Sequence, residues 1–258
     1  MKILIYLLVL GIVIYVIICA YLYFTQDNKI FNRKWAKIIE PKRAKHIYFE
    51  TSDGIKLEGG FVENKKGAPL VLYFSGNANN VLEFLDDIAP EIKNYNFVGF
   101  NYPGYAASEG RPCEECILKY ALEIFDRYKP DYLIGRSLGS AVASYTAANR
   151  KIDGMLLITP IDSIVNIAKA RYPFLPVGLL VKYKFEAYKY LRVVKAPVSV
   201  LLVKKDNIVP KSSIQRVLHS IVNLKEVQVI DGVGHGNIYE YPHIDRIISN
   251  LLDSIRKK

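Results

Sequence analysis

The chain opens on an uninterrupted apolar run. From Ile3 to Phe24 there is no charged residue, and polarity comes only from scattered tyrosines and Cys19. At 1.5 Å per residue, about 20 helical residues cross a hydrocarbon core ~30 Å thick, so the run is long enough to span a bilayer. Tyr21 and Tyr23 fall where an aromatic belt would lie. A cleaved signal peptide carries a shorter apolar region, roughly 7–15 residues, followed by a small-residue site that is missing here. Cys19 fits a lipoprotein cleavage box poorly, because the bulky Ile18 precedes it. The pattern predicts a retained single-pass anchor over residues 1–25 and a polar, basic connector over 26–45.

Beyond the connector the apolar positions change rhythm. His46–Glu50 and Ile55–Val62 read as an opening antiparallel pair turning through Ser52-Asp53-Gly54. Continuous apolar runs follow at Leu70–Phe74, Phe97–Tyr102, Tyr132–Gly135, Gly154–Thr159, Val198–Val203 and Val227–Ile230. Runs without alternation mark strands buried on both faces. Helical periodicity lies between them at Val81–Ile92, Glu114–Tyr128, Leu138–Asn149, Ser212–Ile221 and Tyr239–Arg256. The alternation predicts an α/β domain over residues 46–258, with an eight-stranded, mostly parallel sheet covered by helices on both faces. Residues 161–196 break the rhythm with aromatics and lysines. They fit either a small cap or an ordinary pair of covering helices.

Composition narrows the picture. The 258 residues suffice for one such domain and an anchor, and 51% hydrophobic residues exclude a disordered chain. The net charge of +10 is scattered between apolar elements, with no nucleic-acid motif, so an anionic membrane surface explains it better than nucleic acid. Only Lys2 precedes the apolar run, while Lys29, Arg33, Lys34, Lys37, Lys42 and Arg43 follow it, which favours a cytoplasmic main domain. Three cysteines make a poor disulfide framework. Cys113 and Cys116 form a lone C-x-x-C with no second ligand pair, and ordinary reduced thiols are expected there.

Gly135-Arg136-Ser137-Leu138-Gly139 then changes the meaning of the pattern. A strand enters this G-x-S-x-G and a helix leaves it, and such a sharp turn exposes a serine hydroxyl while glycines make room around it. A serine hydroxyl needs a base held in place by an acid, in the chain order serine, acid, histidine. His235, in the loop after the last strand, is the candidate base, and His243 the fallback. His46 precedes the serine, and His219 falls on a helix. Asp206 stands at a strand's C-terminal end and is the candidate acid, with Asp162 a weaker substitute. The backbone N–H groups of Leu138 and Asn77 are the candidate oxyanion donors.

Together these residues resemble the α/β-hydrolase superfamily and, more narrowly, its Bem46/ABHD13-like group of S9/S33-type serine hydrolases. The likeness runs from about Ile47 onward. It rests on Phe74-Ser75-Gly76-Asn77-Ala78, Asn101-Tyr102-Pro103-Gly104-Tyr105, Ser108-Glu109-Gly110, the serine turn, Tyr172-Pro173-Phe174-Leu175-Pro176, Asp206 with Val209-Pro210, and Gly234-His235. It implies an α/β-hydrolase fold, and an N-terminal membrane anchor is common in the group. Eukaryotic relatives tend to place the hydrolase domain on the far side of the membrane. Ser75 stands where a histidine is usual, and Asn101 where aspartate is common. The expectation is an ester, thioester or amide hydrolase working through an acyl-enzyme, with no metal or cofactor and a small-molecule or lipid-like acyl substrate. A serine peptidase is the nearest alternative, and a non-catalytic tethered binding module a more distant one.

Overall fold

The computed structural model describes residues 1–256. Helix α1 (Lys2–Ile30) carries the apolar run and continues past Phe24 for six more residues. Its most apolar window has a mean hydropathy of 3.1 and contains no buried residue. A 3-10 turn (Arg33–Trp35) follows, and the connector then lies down on the main domain, burying Phe31, Ala36 and Ala44. Asp86 fixes the end of this path by accepting backbone N–H bonds from Lys42, Arg43 and Ala44. Those three bonds outweigh the effect of partial burial and hold the Asp86 carboxyl below its ordinary pKa.

Eight strands form one sheet: β1 (Lys45–Glu50), β2 (Lys56–Val62), β3 (Leu70–Phe74), β4 (Asn96–Phe100), β5 (Tyr132–Arg136), β6 (Gly154–Ile158), β7 (Val198–Val203) and β8 (Leu224–Ile230). Their order is β1-β2-β4-β3-β5-β6-β7-β8, with β1–β2 and β2–β4 antiparallel and every later pair parallel. The helices between are α2 (Val81–Asp87), α3 (Glu114–Tyr128), α4 (Leu138–Asn149), α5 (Ile164–Arg171), α6 (Val177–Leu180), α7 (Ala187–Leu191), α8 (Lys211–Ser220) and α9 (Ile244–Ile255).

The inner strands β3 to β7 are largely apolar because both faces are covered, whereas the edge strands β1 and β8 carry exposed polar residues. Along β7, Val198, Val200 and Leu202 join the core under α3, α4, α7 and α8, while Leu201 and Val203 join the core under α2 and α9. This is the two-sided burial that parallel sheets require. The expected helix at 81–92 breaks into α2 and a 3-10 turn (Ala89–Glu91), and that at 239–256 into a 3-10 turn (Ile238–Glu240) and α9. Pro90 and Pro242 stand at the two breaks, where a missing N–H and a clashing ring interrupt a helix. Residues 161–196 hold three short helices rather than two.

One expectation is corrected. Cys113 and Cys116 are not free thiols but form a disulfide. Cys113 is the N-cap of α3, and Cys116 lies one turn along it, so their Cα atoms stand 5.2 Å apart, within bonding range.

Candidate active site

Ser137 sits between β5 and α4 at φ 49° and ψ −117°. A side chain is rarely stable in this left-handed region, and the surrounding packing must enforce it. Two glycines allow that packing. A Cβ at Gly139 would stand 2.2 Å from the Phe74 carbonyl oxygen, and one at Gly135 would stand 2.5 Å from the Gly139 carbonyl oxygen. Both are far inside contact distance, so α4 could not start this close to β3 and β5 with any other residue.

The C-terminal ends of the parallel strands bring the other two side chains in. Asp206 follows β7 and His235 follows β8. His235 Nε2 lies 2.8 Å from Ser137 Oγ, and His235 Nδ1 lies 2.8 Å from Asp206 Oδ2. Because a carboxylate only accepts, Nδ1 carries the proton and Nε2 is free to accept from the serine hydroxyl. The Asp206 and His235 side chains are 4% and 8% exposed, so their hydrogen bond is shielded from competing water. Burial alone would raise the Asp206 pKa. The hydrogen bonds from His235, Val209 and Ile208 outweigh it and leave the carboxyl below its ordinary value.

Among the described residues the two candidate oxyanion donors are free. Leu138 is the first residue of α4, so its N–H has no acceptor within the helix. Among the described residues no partner accepts from the Asn77 N–H. The loop is pressed against the serine: a Cβ at Gly76 would lie 3.6 Å from Ser137 Cβ. The Asn77 side chain turns away and ties the loop down, its Oδ1 accepting from Tyr105 Oη at 2.8 Å and Asn32 N at 3.1 Å.

The fallback residues lie elsewhere in bonding terms. The Asp162 carboxylate is fully buried and accepts from Ser163, Asn166, Ser213 and Arg216. His243 caps α9, His219 bonds the Gln215 carbonyl on α8, and His46 bonds Glu58.

Arg136 was not singled out by its sequence. It is 3% exposed. Its Nη1 donates to Asn79 Oδ1 at 2.7 Å, and its Nη2 donates to the carbonyl oxygens of His235 (3.0 Å) and Gly236 (2.9 Å). The guanidinium lies over the Tyr239 ring at 4.8 Å, and Tyr239 Oη bonds Tyr73 Oη. One side chain thus joins the loop after β3 to the histidine loop. The signal available beforehand was a charged residue closing an otherwise apolar strand.

Asn101 also has a defined place. Its Nδ2 donates to Glu58 Oε2 and Asn80 Oδ1, and its Oδ1 accepts from the first N–H of α2. Glu58 is fully buried, and also accepts from His46 and the Ala107 N–H. An amide at 101 can serve both a carboxylate and an N–H, which an aspartate cannot.

This architecture is the α/β-hydrolase fold. An esterase from Pyrococcus furiosus, Pf2001, shares it with a TM-score of 0.61 at 19% identity, over 84% of this chain and 97% of that one. In sequence the chain is similar to an uncharacterized protein of Mycobacterium tuberculosis, Rv2307c, at 28% identity over 204 residues, 74% of this chain and 72% of that relative. It is also similar to the alpha/beta hydrolase domain-containing protein WAV2 of Arabidopsis thaliana, 31% identical over 143 residues, half of this chain and 46% of that relative. No family model matches the chain.

Proposed function

We propose that the protein is a membrane-anchored serine hydrolase that cleaves an acyl bond, foremost an ester or thioester, through an acyl-enzyme. The observation that carries this reading is the unbroken bond chain from Ser137 Oγ through His235 to Asp206, each link 2.8 Å. Ser137 attacks the substrate carbonyl while its proton passes to His235 Nε2. Asp206 holds the ring in the required tautomer and stabilises the imidazolium that forms. The N–H groups of Leu138 and Asn77 receive the negative charge on the carbonyl oxygen, aided by the N-terminus of α4. His235 returns its proton to the leaving alcohol or thiol, and water attacks the acyl-serine by the same route in reverse.

The esterase named for Pf2001 supports the esterase form of the reading by fold likeness. Arg136, the cation adjacent to the serine in the chain, is committed to Asn79, His235 and Gly236 and so is not offered to a peptide terminus. Turnover of p-nitrophenyl acyl esters set against aminoacyl-anilides tests this. Faster anilide cleavage would replace the esterase reading with the peptidase one.

Helix α1 is the anchor in this account. Its Ile3–Phe24 stretch measures about 33 Å, which matches a hydrocarbon core. The basic residues after it favour a cytoplasmic catalytic domain. The Cys113–Cys116 disulfide favours the opposite side, because such bonds persist in oxidising compartments. Protease digestion of sealed, oriented vesicles distinguishes the two: cleavage of the domain from the cytoplasmic face supports the first, and protection there the second. We also propose that residues 161–196, which hold α5, α6 and α7, form a small cap for this site.

A further inference from the structure

The segment Tyr172–Val181, around α6, has an unusual neighbour. Tyr15 Oη, deep inside the apolar run of α1, donates to the Phe174 carbonyl oxygen at 3.1 Å. At the other end of the segment, Gln26 Nε2 donates to the Leu180 carbonyl oxygen at 3.0 Å, and Gln26 Oε1 accepts the Lys182 N–H at 2.8 Å. Tyr15 and Gln26 are eleven residues apart, so the segment lies along roughly 16 Å of the helix axis. Tyr15 also stands nine residues before Phe24. Phe174 therefore reaches about 13 Å beyond the domain-side end of the apolar run, most of the depth of one leaflet.

We infer that this tip is a second bilayer-seated element, immersed in the lipid leaflet that surrounds the domain-side half of α1. The inference rests on the reading of α1 as an anchor. Three features of the tip fit lipid and suit water poorly. Phe174 and Leu179 are 89% and 86% exposed, a poor arrangement for two large apolar side chains in water. Its backbone is largely satisfied within itself: the N–H groups of Tyr172, Leu175, Val177, Leu179, Leu180 and Val181 all bond carbonyls between residues 168 and 177. Pro173 and Pro176 have no N–H to satisfy. Non-helical backbone is costly in hydrocarbon unless its polar groups are paired, and among the described residues six of the eight N–H groups from Tyr172 to Val181 are.

The charges around the tip suit the same partner. Lys169, Arg171 and Lys182 are exposed and flank it in the chain, and Lys29 stands near the end of α1. Lys182 Nζ lies 4.5 Å above the Tyr23 ring and Lys29 Nζ 5.6 Å from the Tyr21 ring, at the level where headgroups begin. Such a collar suits anionic lipid headgroups, with long basic side chains reaching outward from an apolar base. The geometry also has a consequence for the site. Asn32, two residues past α1, bonds Asn77 in the candidate oxyanion loop, so a tip seated in the leaflet holds that loop close to the membrane surface.

Depth-resolved fluorescence quenching tests this on the full-length chain in phosphatidylcholine–phosphatidylglycerol vesicles. Trp35, the single tryptophan, is replaced by phenylalanine. One tryptophan is then placed by Phe174→Trp, by Ile12→Trp in α1, or by Val222→Trp on an exposed loop after α8. The tip reporter should emit at shorter wavelength than the Val222→Trp reporter and lose most of its emission to chain-brominated lipids, as the Ile12→Trp reporter does. If the α1 reporter is quenched while Phe174→Trp responds no more than Val222→Trp, the tip lies outside the bilayer and the inference fails with the anchor intact. If the α1 reporter is unquenched as well, the anchor reading itself is overturned. Neither outcome depends on hydrolase activity.

Discussion

Arg136 donates to the backbone carbonyl oxygen of His235 at 3.0 Å, so the residue beside the candidate nucleophile holds the loop that carries its candidate base. The two residues are 99 positions apart in sequence. The same guanidinium reaches Asn79 in the loop after β3. A single buried cation thus sets the distances among three loops on which acyl transfer would depend.

Arg136→Gln should therefore lower kcat by about 10–100-fold with little change in KM, because displacing reacting groups by about 1 Å costs up to ~10²-fold. Arg136→Lys should fall between, since one ammonium cannot reach all three acceptors. Steady-state kinetics on a p-nitrophenyl ester check this, with near-UV circular dichroism to establish folding. A kcat that tracks only the folded fraction would reduce Arg136 to a packing role.

Asn101→Asp should destabilise the fold although it changes only one group. It would set a second carboxylate against the buried Glu58 and remove the donor to Asn80, the cap of α2. An uncompensated buried charge costs about 3–5 kcal/mol, so urea unfolding at neutral pH should show a loss of that order.

Ser75→Ala should be tolerated or mildly stabilising. Ser75 is 1% exposed, and among the described residues its Oγ has no hydrogen-bond partner. A buried unsatisfied hydroxyl costs roughly 1–3 kcal/mol, and removing it without opening a cavity recovers part of that. A clear fall in the thermal midpoint would show that the hydroxyl has a partner.

Asp206 links the site to pH. Its folded-state pKa lies below the ordinary 3.8, so it contributes stability above that value and loses it as the pH falls through the folded-state pKa. The gap in thermal midpoint between the wild type and Asp206→Asn should therefore be full near neutrality and close below about pH 3.8. On ester substrates the same variant should lose on the order of 10⁴-fold in kcat, because an amide does not enforce the Nδ1–H tautomer.

The inner strands are legible because two-sided burial writes itself as unbroken apolar runs, and Leu70–Phe74 and Val198–Val203 match β3 and β7 end to end. Ser137, Asp206 and His235 were legible as candidates because the serine turn is a local motif and the chain order leaves few partners. Arg136 was not, since its bonds reach Asn79 and Gly236, 57 and 100 positions away. In sequence the connector looks like a polar, basic link, because burial of Phe31 against Tyr183 and Phe185 is set by tertiary contact, not by local pattern. The disulfide escaped for a different reason. Composition argues about compartments, whereas the pairing of Cys113 with Cys116 follows from the turn at the start of α3.

The central claim is that Ser137 is the nucleophile. Incubating the full-length protein with a fluorophosphonate and locating the adduct by peptide mass spectrometry tests it most directly. The account predicts one adduct, on Ser137, formed by the wild type and abolished in Ser137→Ala. A wild type that does not react, or labelling that survives the substitution, would contradict it.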